Sequence, residues 1–333
     1  MIWLQFFISA ALVVVAAIKL VEYGDVIAVR TRLGGMFVGT LLLAGATSLP
    51  EFLTILNALD QNVPNLAAGN LFGSSMFNML LLAVLDLSNH QARILRRVAM
   101  RHALTASLAT LLTGMVIFFM LADVDVQAGW VGLDSLLVMG AYLVGVRIIQ
   151  TGLAVPVVAP SVTVEDTVDD ATLPSLRRAG LGFLLAAGAL VIVTPWLVSS
   201  SATIAEVTGL GASFIGTTLV AVITSLPELV TVLSASRLGA YDLAVGNLFG
   251  SNAFNIFALA LTDVFYLRGR FLGDIDPTFA LAGLLGLLLT NLGLIGNLAR
   301  VERRLWFIEV DALFIIVGYM AGLWLLYNQG IGL

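Results

Sequence analysis

Apolar residues run through this chain in long blocks, and the polar positions inside the blocks are few and recur. Stretches near the roughly 20 residues needed to span a bilayer cover 2–20, 35–58, 65–86, 101–122, 129–149, 179–199, 209–235, 242–264, 277–299 and 307–327. The pattern predicts an all-α integral membrane protein with ten transmembrane helices. The first stretch has no basic leader and no small-residue cleavage site, so it reads as a span and not as a removable signal peptide. Composition agrees: 59% of the 333 residues are hydrophobic and 11% are charged, where a soluble domain carries about 25% charged residues. There is no cysteine and only His90 and His102, which excludes disulfides and thiolate metal sites and leaves no basis for a histidine metal centre. No cofactor, nucleic-acid partner or obligate protein partner is expected; the lipid bilayer is the surrounding partner.

The basic residues orient the spans. Short loops rich in Lys and Arg stay cytoplasmic. Fourteen of the sixteen fall in alternate loops: Lys19, Arg30 and Arg32; Arg93, Arg96, Arg97 and Arg101; Arg147, Arg177 and Arg178; Arg237; and Arg300, Arg303 and Arg304. Only Arg268 and Arg270 lie on the other side. The split predicts both termini outside, with Trp3, Trp130 and Trp196 near the outer interface.

The chain also repeats itself. With an offset of 177 and no gap, 29 of the 56 positions from 31 to 86 match those from 208 to 263. FVGTLLLAGATSLPEFLTIL answers FIGTTLVAVITSLPELVTVL, and AAGNLFGSSMFNMLLLAVLD answers AVGNLFGSNAFNIFALALTD. Each half then holds five spans, an odd number, so the halves must be inverted relative to one another. The expected organisation is a first five-helix repeat over 1–150, an acidic cytoplasmic linker over 151–178, and a second five-helix repeat over 179–333. Inverted repeats with helices broken at the midplane are characteristic of secondary transporters.

The duplicated polar residues carry the chemistry. Glu51 and Glu228 each sit within an apolar segment, where a charged side chain costs roughly 2.5–3.5 kcal/mol on insertion scales. No Lys or Arg lies at comparable depth, so a cation or a proton is the remaining partner. Thr47 and Ser48 share a helix face with Glu51, as Thr224 and Ser225 do with Glu228. Pro50 and Pro227 lack an N–H and are expected to free the carbonyls of Ala46 and Ile223. On the following helix, Ser74 and Asn78 lie four apart, and Ser251 and Asn255 stand in the same relation. Such hydroxyl, carbonyl and carboxylate oxygens form a hard ligand set suited to Ca²⁺ or Na⁺.

The paired GTxxxxxxTSLPE and GNLFGSxxFN segments resemble the two α-repeats of the calcium/cation antiporter superfamily, in particular its Na⁺/Ca²⁺ exchanger branch. The resemblance implies alternating-access antiport of Na⁺ against Ca²⁺, with Glu51, Asn78, Glu228 and Asn255 at the centre of the site. Thr47, Ser48, Ser74, Thr224, Ser225 and Ser251, with nearby carbonyls, would supply flanking Na⁺ sites. Many members have Asp where Asn255 stands, and K⁺-dependent exchangers rely on it; Asn argues against K⁺ and leaves two fixed negative charges. Two carboxylates neutralise one Ca²⁺, whereas the family's three Na⁺ would leave a charge of +1. The resemblance also assigns the first span, and in part the sixth, to a sliding element.

Other readings stay open. A Ca²⁺/H⁺ antiporter would use the same glutamates, and a passive cation channel the same ligands. An intramembrane hydrolase would need a nucleophile with a base, or facing aspartates, at depth; none is present. Asp86 and Asp263, near helix ends, read as capping or interfacial residues. The basic segment 89–102 is accounted for by its cytoplasmic side, and linker residues Glu165, Asp166, Asp169 and Asp170 read as a solvated acidic run between prolines.

Overall fold

The apolar blocks fold as helices because their backbone groups have no other partner in hydrocarbon. The structure is a computed structural model that describes residues 1–31, 45, 47–88, 94–152, 174–237, 239–298, 304–305 and 308–328. Ala46, His90, Arg32, Arg93, Arg300 and Arg303 lie outside the described residues, as do the linker residues Pro156, Pro160, Glu165, Asp166, Asp169 and Asp170. The helices are α1 (Ile2–Thr31), α2 (Leu49–Asp60), α3 (Pro64–Ser88), α4 (Ile94–Ala122), α5 (Leu133–Gly152) and α6 (Leu176–Thr208). They continue as α7 (Ala212–Thr224), α8 (Leu226–Arg237), α9 (Tyr241–Phe265), α10 (Phe271–Asp274), α11 (Phe279–Leu298) and α12 (Val310–Asn328).

Helix occupies most of the described part of every predicted apolar stretch. Among the described residues, by length and hydropathy alone, six helices qualify as crossing segments, or seven when α7 and α8 count as one bent span. The apolar pattern predicted ten; the three stretches that do not qualify are those of α2, with 12 residues, α5, and α11, apolar over Phe279–Ile295. The all-α expectation needs a correction as well. Two antiparallel ribbons, Gln127–Ala128 with Val131–Gly132 and Arg304–Leu305 with Ile308–Glu309, precede α5 and α12. Two-residue strands carry no readable periodicity. The signal in the first is Gly129, whose φ of 74° suits the first central position of a two-residue hairpin.

α3 and α9 form the centre. Of their apolar windows 78% and 72% are buried, against 28% to 44% for the other four crossing helices. Those outer helices turn large apolar side chains outward, including Leu184, Leu185 and Ile192 on α6 and Phe314, Met320 and Trp324 on α12. Apolar surface on that scale belongs against lipid. α1 runs antiparallel along α6, with Arg30 donating to the Pro174 carbonyl at 3.3 Å and Gly24 facing Phe183. α2 is tied to α6 at its far end: Asn57 Nδ2 donates to Thr194 Oγ1 at 2.9 Å and Gln61 Nε2 to the Pro195 carbonyl at 3.2 Å.

The 177-residue offset extends through the structure beyond the segment where sequence identity revealed it. It carries one ribbon onto the other, Asp134 onto Asp311 and Tyr142 onto Tyr319. It also carries the contact of Gly145 with Leu108 onto that of Gly322 with Leu285. The turns after α2 and α8 match: Asn62 (φ 59°) and Gly239 (φ 73°) take the left-handed conformation. In each, an N–H reaches back five residues at 2.8 Å, Val63 to Ala58 and Ala240 to Ala235, the bond of a Schellman helix end. The copies differ where Pro277 stands opposite Met100: α4 is continuous, while its counterpart splits into α10 and α11.

At the end where α5 begins, Arg270 is buried among the Asp123 carboxylate, the Val124 carbonyl and Asp134 Oδ2. Asp263 accepts from the N–H groups of Gly132 and Phe271, both at 2.6 Å. It therefore caps, as expected, and one of the two basic residues on that side is a buried brace.

α3 meets α7 backbone to backbone through Gly69-xxx-Gly73, a small-residue spacing that lets membrane helices approach closely. A methyl group on Gly73 would lie 2.3 Å from the Thr217 carbonyl oxygen and 2.7 Å from Ala221 Cβ. One on Gly216 would lie 2.6 Å from the Leu66 carbonyl oxygen. Backbone atoms cannot swing aside, so Gly73→Ala is expected to destabilise the protein by about 1–3 kcal/mol. A methyl group on Gly140 in α5 would meet nothing within 4 Å, so Gly140→Ala should leave stability unchanged or slightly raised. Thermal melts of the two variants in detergent check the contrast; equal melting temperatures would refute it.

Candidate functional site

The two TSLPE segments form the same structure. Ser48 (φ −87°, ψ 8°) and Ser225 (φ −89°, ψ 6°) sit at helix breaks in nearly identical backbone conformations. A new helix starts at the next residue. Pro50 and Pro227 therefore occupy the second position of α2 and α8, where a missing N–H has no intrahelical partner to lose. This alters the expectation that each proline opens the interior of one long helix. In the second copy, α7 passes through a π-helical turn at Gly216–Val220 and meets α8 at a bend of 40°. At that break the Ser225 N–H donates to the Ala221 carbonyl at 3.0 Å, with the Ile223 carbonyl as a second, weaker acceptor.

Glu51 and Glu228 thereby fall in the first turn of their helices. There the backbone N–H groups and the positive end of the helix dipole favour an anion, by about 0.3–1 kcal/mol and more where solvent is excluded. Ser48, although at the N-cap position, makes no capping bond. Its hydroxyl crosses to the other copy and donates to Glu228 Oε1 at 3.3 Å. Ser225 does the reverse, donating to Glu51 Oε1 at 3.1 Å. Thr47 Oγ1 lies 3.3 Å from Ser251 Oγ, both beside Glu228, while Thr224 lies beside Glu51. Each half thus completes the other's carboxylate.

All of these side chains are buried, the glutamates at 1% and 0% exposure. Among the described residues, neither glutamate pairs with a basic side chain, and Glu51 Oε2 and Glu228 Oε2 meet no donor. α3 and α9 add Ser74, Asn78, Ser251 and Asn255, also buried. Ser74 Oγ, Asn78 Oδ1 and both amide atoms of Asn255 have no hydrogen-bond partner among the described residues. Hydrogen bonds thus bring together Thr47, Ser48, Glu51, Ser225, Glu228 and Ser251. Ser74, Asn78 and Asn255 line the same central helices without bonding to the carboxylates.

Four further buried polar residues join the cluster. Thr224 Oγ1 donates to Asn70 Oδ1 at 3.0 Å, and Asn247, its counterpart in the repeat, is fully buried. Both were visible as identical positions in the repeated GNLFGS. Asn252 and Thr290 were not, because the repeat places Ser75 opposite Asn252, and Thr290 lies outside the aligned segments.

A sequence profile described as sodium/calcium exchanger protein matches residues 1–149 and 179–327. A protein of Alkalimonas amylolytica named antiporter CaxA is 27% identical over 331 residues, 97% of each chain. Among solved structures, an H⁺/Ca²⁺ exchanger, CAX, has a TM-score of 0.65 at 13% identity and covers 99% of this chain and 89% of its own. The sodium-calcium exchanger NCX_Mj has a TM-score of 0.59 at 21% identity, covering 96% and 98%. At these identities the structural likeness shows the fold.

The half-served carboxylates set a stability expectation. In cation-free buffer, Glu51→Gln is expected to raise the melting temperature, since a buried charge without a counter-charge opposes folding. Ser225→Ala should lower it, at a stability cost of about 1–3 kcal/mol, by stripping the donor from Glu51 Oε1. In the Glu51→Gln background the cost of Ser225→Ala should shrink. Additive shifts in the melts of the four proteins would contradict the pairing.

Proposed function

This chain belongs to the sodium/calcium exchanger protein family, and we propose that it is a secondary antiporter exchanging Na⁺ for Ca²⁺ by alternating access. The observation that carries the reading is the pair of buried carboxylates, each bonded by a hydroxyl from the opposite copy and neither neutralised by a basic side chain. Glu51 and Glu228 would hold the ion by charge. Asn78 and Asn255 would add neutral oxygens, and Thr47, Ser48, Ser74, Thr224, Ser225 and Ser251, with the carbonyls of Ala46 and Ile223, would form flanking Na⁺ positions.

In this reading the architecture is ten spans in two inverted five-helix halves, 1–150 and 179–333, joined by the linker 151–178. Both termini lie outside a prokaryotic inner membrane. The loop charges support the inversion, and the shared 177-residue register supports the two halves. The packed pair α1–α6, touching the rest largely through α2, α7 and α8, suits a sliding element. Two carboxylates neutralise one Ca²⁺, whereas three Na⁺ would exceed them by one positive charge.

A second reading couples Ca²⁺ to H⁺. The likeness to an H⁺/Ca²⁺ exchanger, CAX, over 99% of the chain favours it. The hydroxyls around the carboxylates favour Na⁺, because a proton needs no such coordination shell.

Proteoliposomes separate the readings. Ca²⁺ uptake is expected under an outward Na⁺ gradient and not under a pH gradient alone. Uptake that follows the pH gradient and ignores Na⁺ would transfer the protein to the second reading, and uptake without any counter-ion would make it a channel. Glu228→Gln should reduce exchange at least tenfold, about 1.4 kcal/mol or more of lost interaction; retained exchange would remove Glu228 from the site.

A further inference from the structure

We infer that Asn252 is a positioning residue: it fixes which end of the Asn78 amide faces the site, so that Asn78 offers its oxygen and not its NH₂. The inference rests on the Ca²⁺-binding reading above and concerns a residue where the two halves differ.

The argument is one of donors and acceptors. An amide side chain has an oxygen that only accepts and a nitrogen that only donates, and its orientation follows from what its neighbours can do. Asn252 Nδ2 lies 3.1 Å from the Ser75 backbone carbonyl, which can only accept. The same nitrogen lies 3.5 Å from Thr290 Oγ1. That hydroxyl spends its proton on the Gly286 carbonyl at 2.8 Å, so it too presents a lone pair. Two acceptors on one side therefore lock the nitrogen of Asn252 there and turn its oxygen to Asn78. Asn78 must answer with a donor, and its Nδ2 lies 2.9 Å from Asn252 Oδ1. The remaining end, Asn78 Oδ1, is buried with no partner among the described residues.

On the proposed reading Asn78 shares the ion with two carboxylates, and there this orientation matters. An amide free to rotate would turn its NH₂ toward the negative charge and compete with a cation there. Ser75, the counterpart of Asn252, contributes its backbone carbonyl to the relay. Thus the 75/252 pair touches itself across the two halves, and a single asparagine fits between them. Asn255 has no such clamp among the described residues, where both its amide atoms lack partners. The two asparagines of the site are therefore not equivalent: Asn78 is pre-set and Asn255 is free to adapt.

The test measures Ca²⁺ binding to the purified full chain by calorimetry, with the cation-free melting temperature as a check on folding. Asn252→Leu removes both ends of the clamp and is expected to weaken Ca²⁺ binding about 10- to 100-fold, as loss of an outer-shell partner does. Asn252→Ser, which installs the residue of the other copy, should also weaken it and guards against misfolding of the leucine variant. In the Asn78→Asp background both ends of residue 78 are oxygens, so Asn252→Leu should not weaken Ca²⁺ binding. An equal loss in both backgrounds would mean that Asn252 acts only as packing, and unchanged affinity in Asn252→Leu and Asn252→Ser would also overturn the inference. If Glu228→Gln leaves Ca²⁺ binding intact, the underlying site reading fails instead, and that result is distinguishable from the others.

Discussion

Everything in this structure is arranged around two carboxylates held in an apolar interior without a counter-charge among the described residues. A charge at that depth costs a few kcal/mol, and the chain offsets it with three local devices. The helix breaks at a serine and restarts, so the glutamate meets free N–H groups in a first turn. A proline fills the position where a donor is not missed. The serine hydroxyl, left unused as a cap, crosses to the opposite glutamate. These devices serve Oε1 of each carboxylate and leave Oε2 without a donor, so compensation is partial by construction.

The crossing hydroxyls impose a packing requirement. Ser48 can reach Glu228, and Ser225 can reach Glu51, only if the two copies interlock at their breaks. That is why the neighbouring helices touch at backbone distance, with Gly69 and Gly73 of α3 against α7 and Gly216 against the Leu66 carbonyl. Side chains larger than hydrogen at these points would hold the halves apart and strand both carboxylates. Packing and electrostatics are thus one constraint here, and the repeated glycines and repeated glutamates are its two expressions.

Much of this was legible in the sequence because duplication marks the positions that both copies need. The TSLPE and GNLFGS segments named the glutamates, hydroxyls and asparagines that lie buried at the centre. Where the copies diverge, self-comparison was blind. Asn252 faces Ser75 in the alignment and so looked unremarkable, although it organises Asn78. The repeat itself continues through the ribbons and α5/α12, but there identity thins to positions such as Asp134 and Asp311, and contact geometry reveals what letters do not. The placement of the glutamates in a first helical turn was hidden for another reason: an unbroken apolar run does not show where a helix stops and restarts.

The same constraint argues for exchange over simple leakage, on the proposed reading. With the cation gone, the centre retains two negative charges that, among the described residues, hydroxyls and helix ends alone compensate. Any rearrangement that moves this centre from one face of the membrane to the other carries those charges through low dielectric, and the penalty falls mainly on the empty form. A bound Ca²⁺, or Na⁺ ions in its place, removes it. The neutral Asn78 and Asn255 keep the fixed charge at two, so one divalent ion suffices. Coupling then needs no separate gate, because the loaded states are the ones whose charge the interior tolerates.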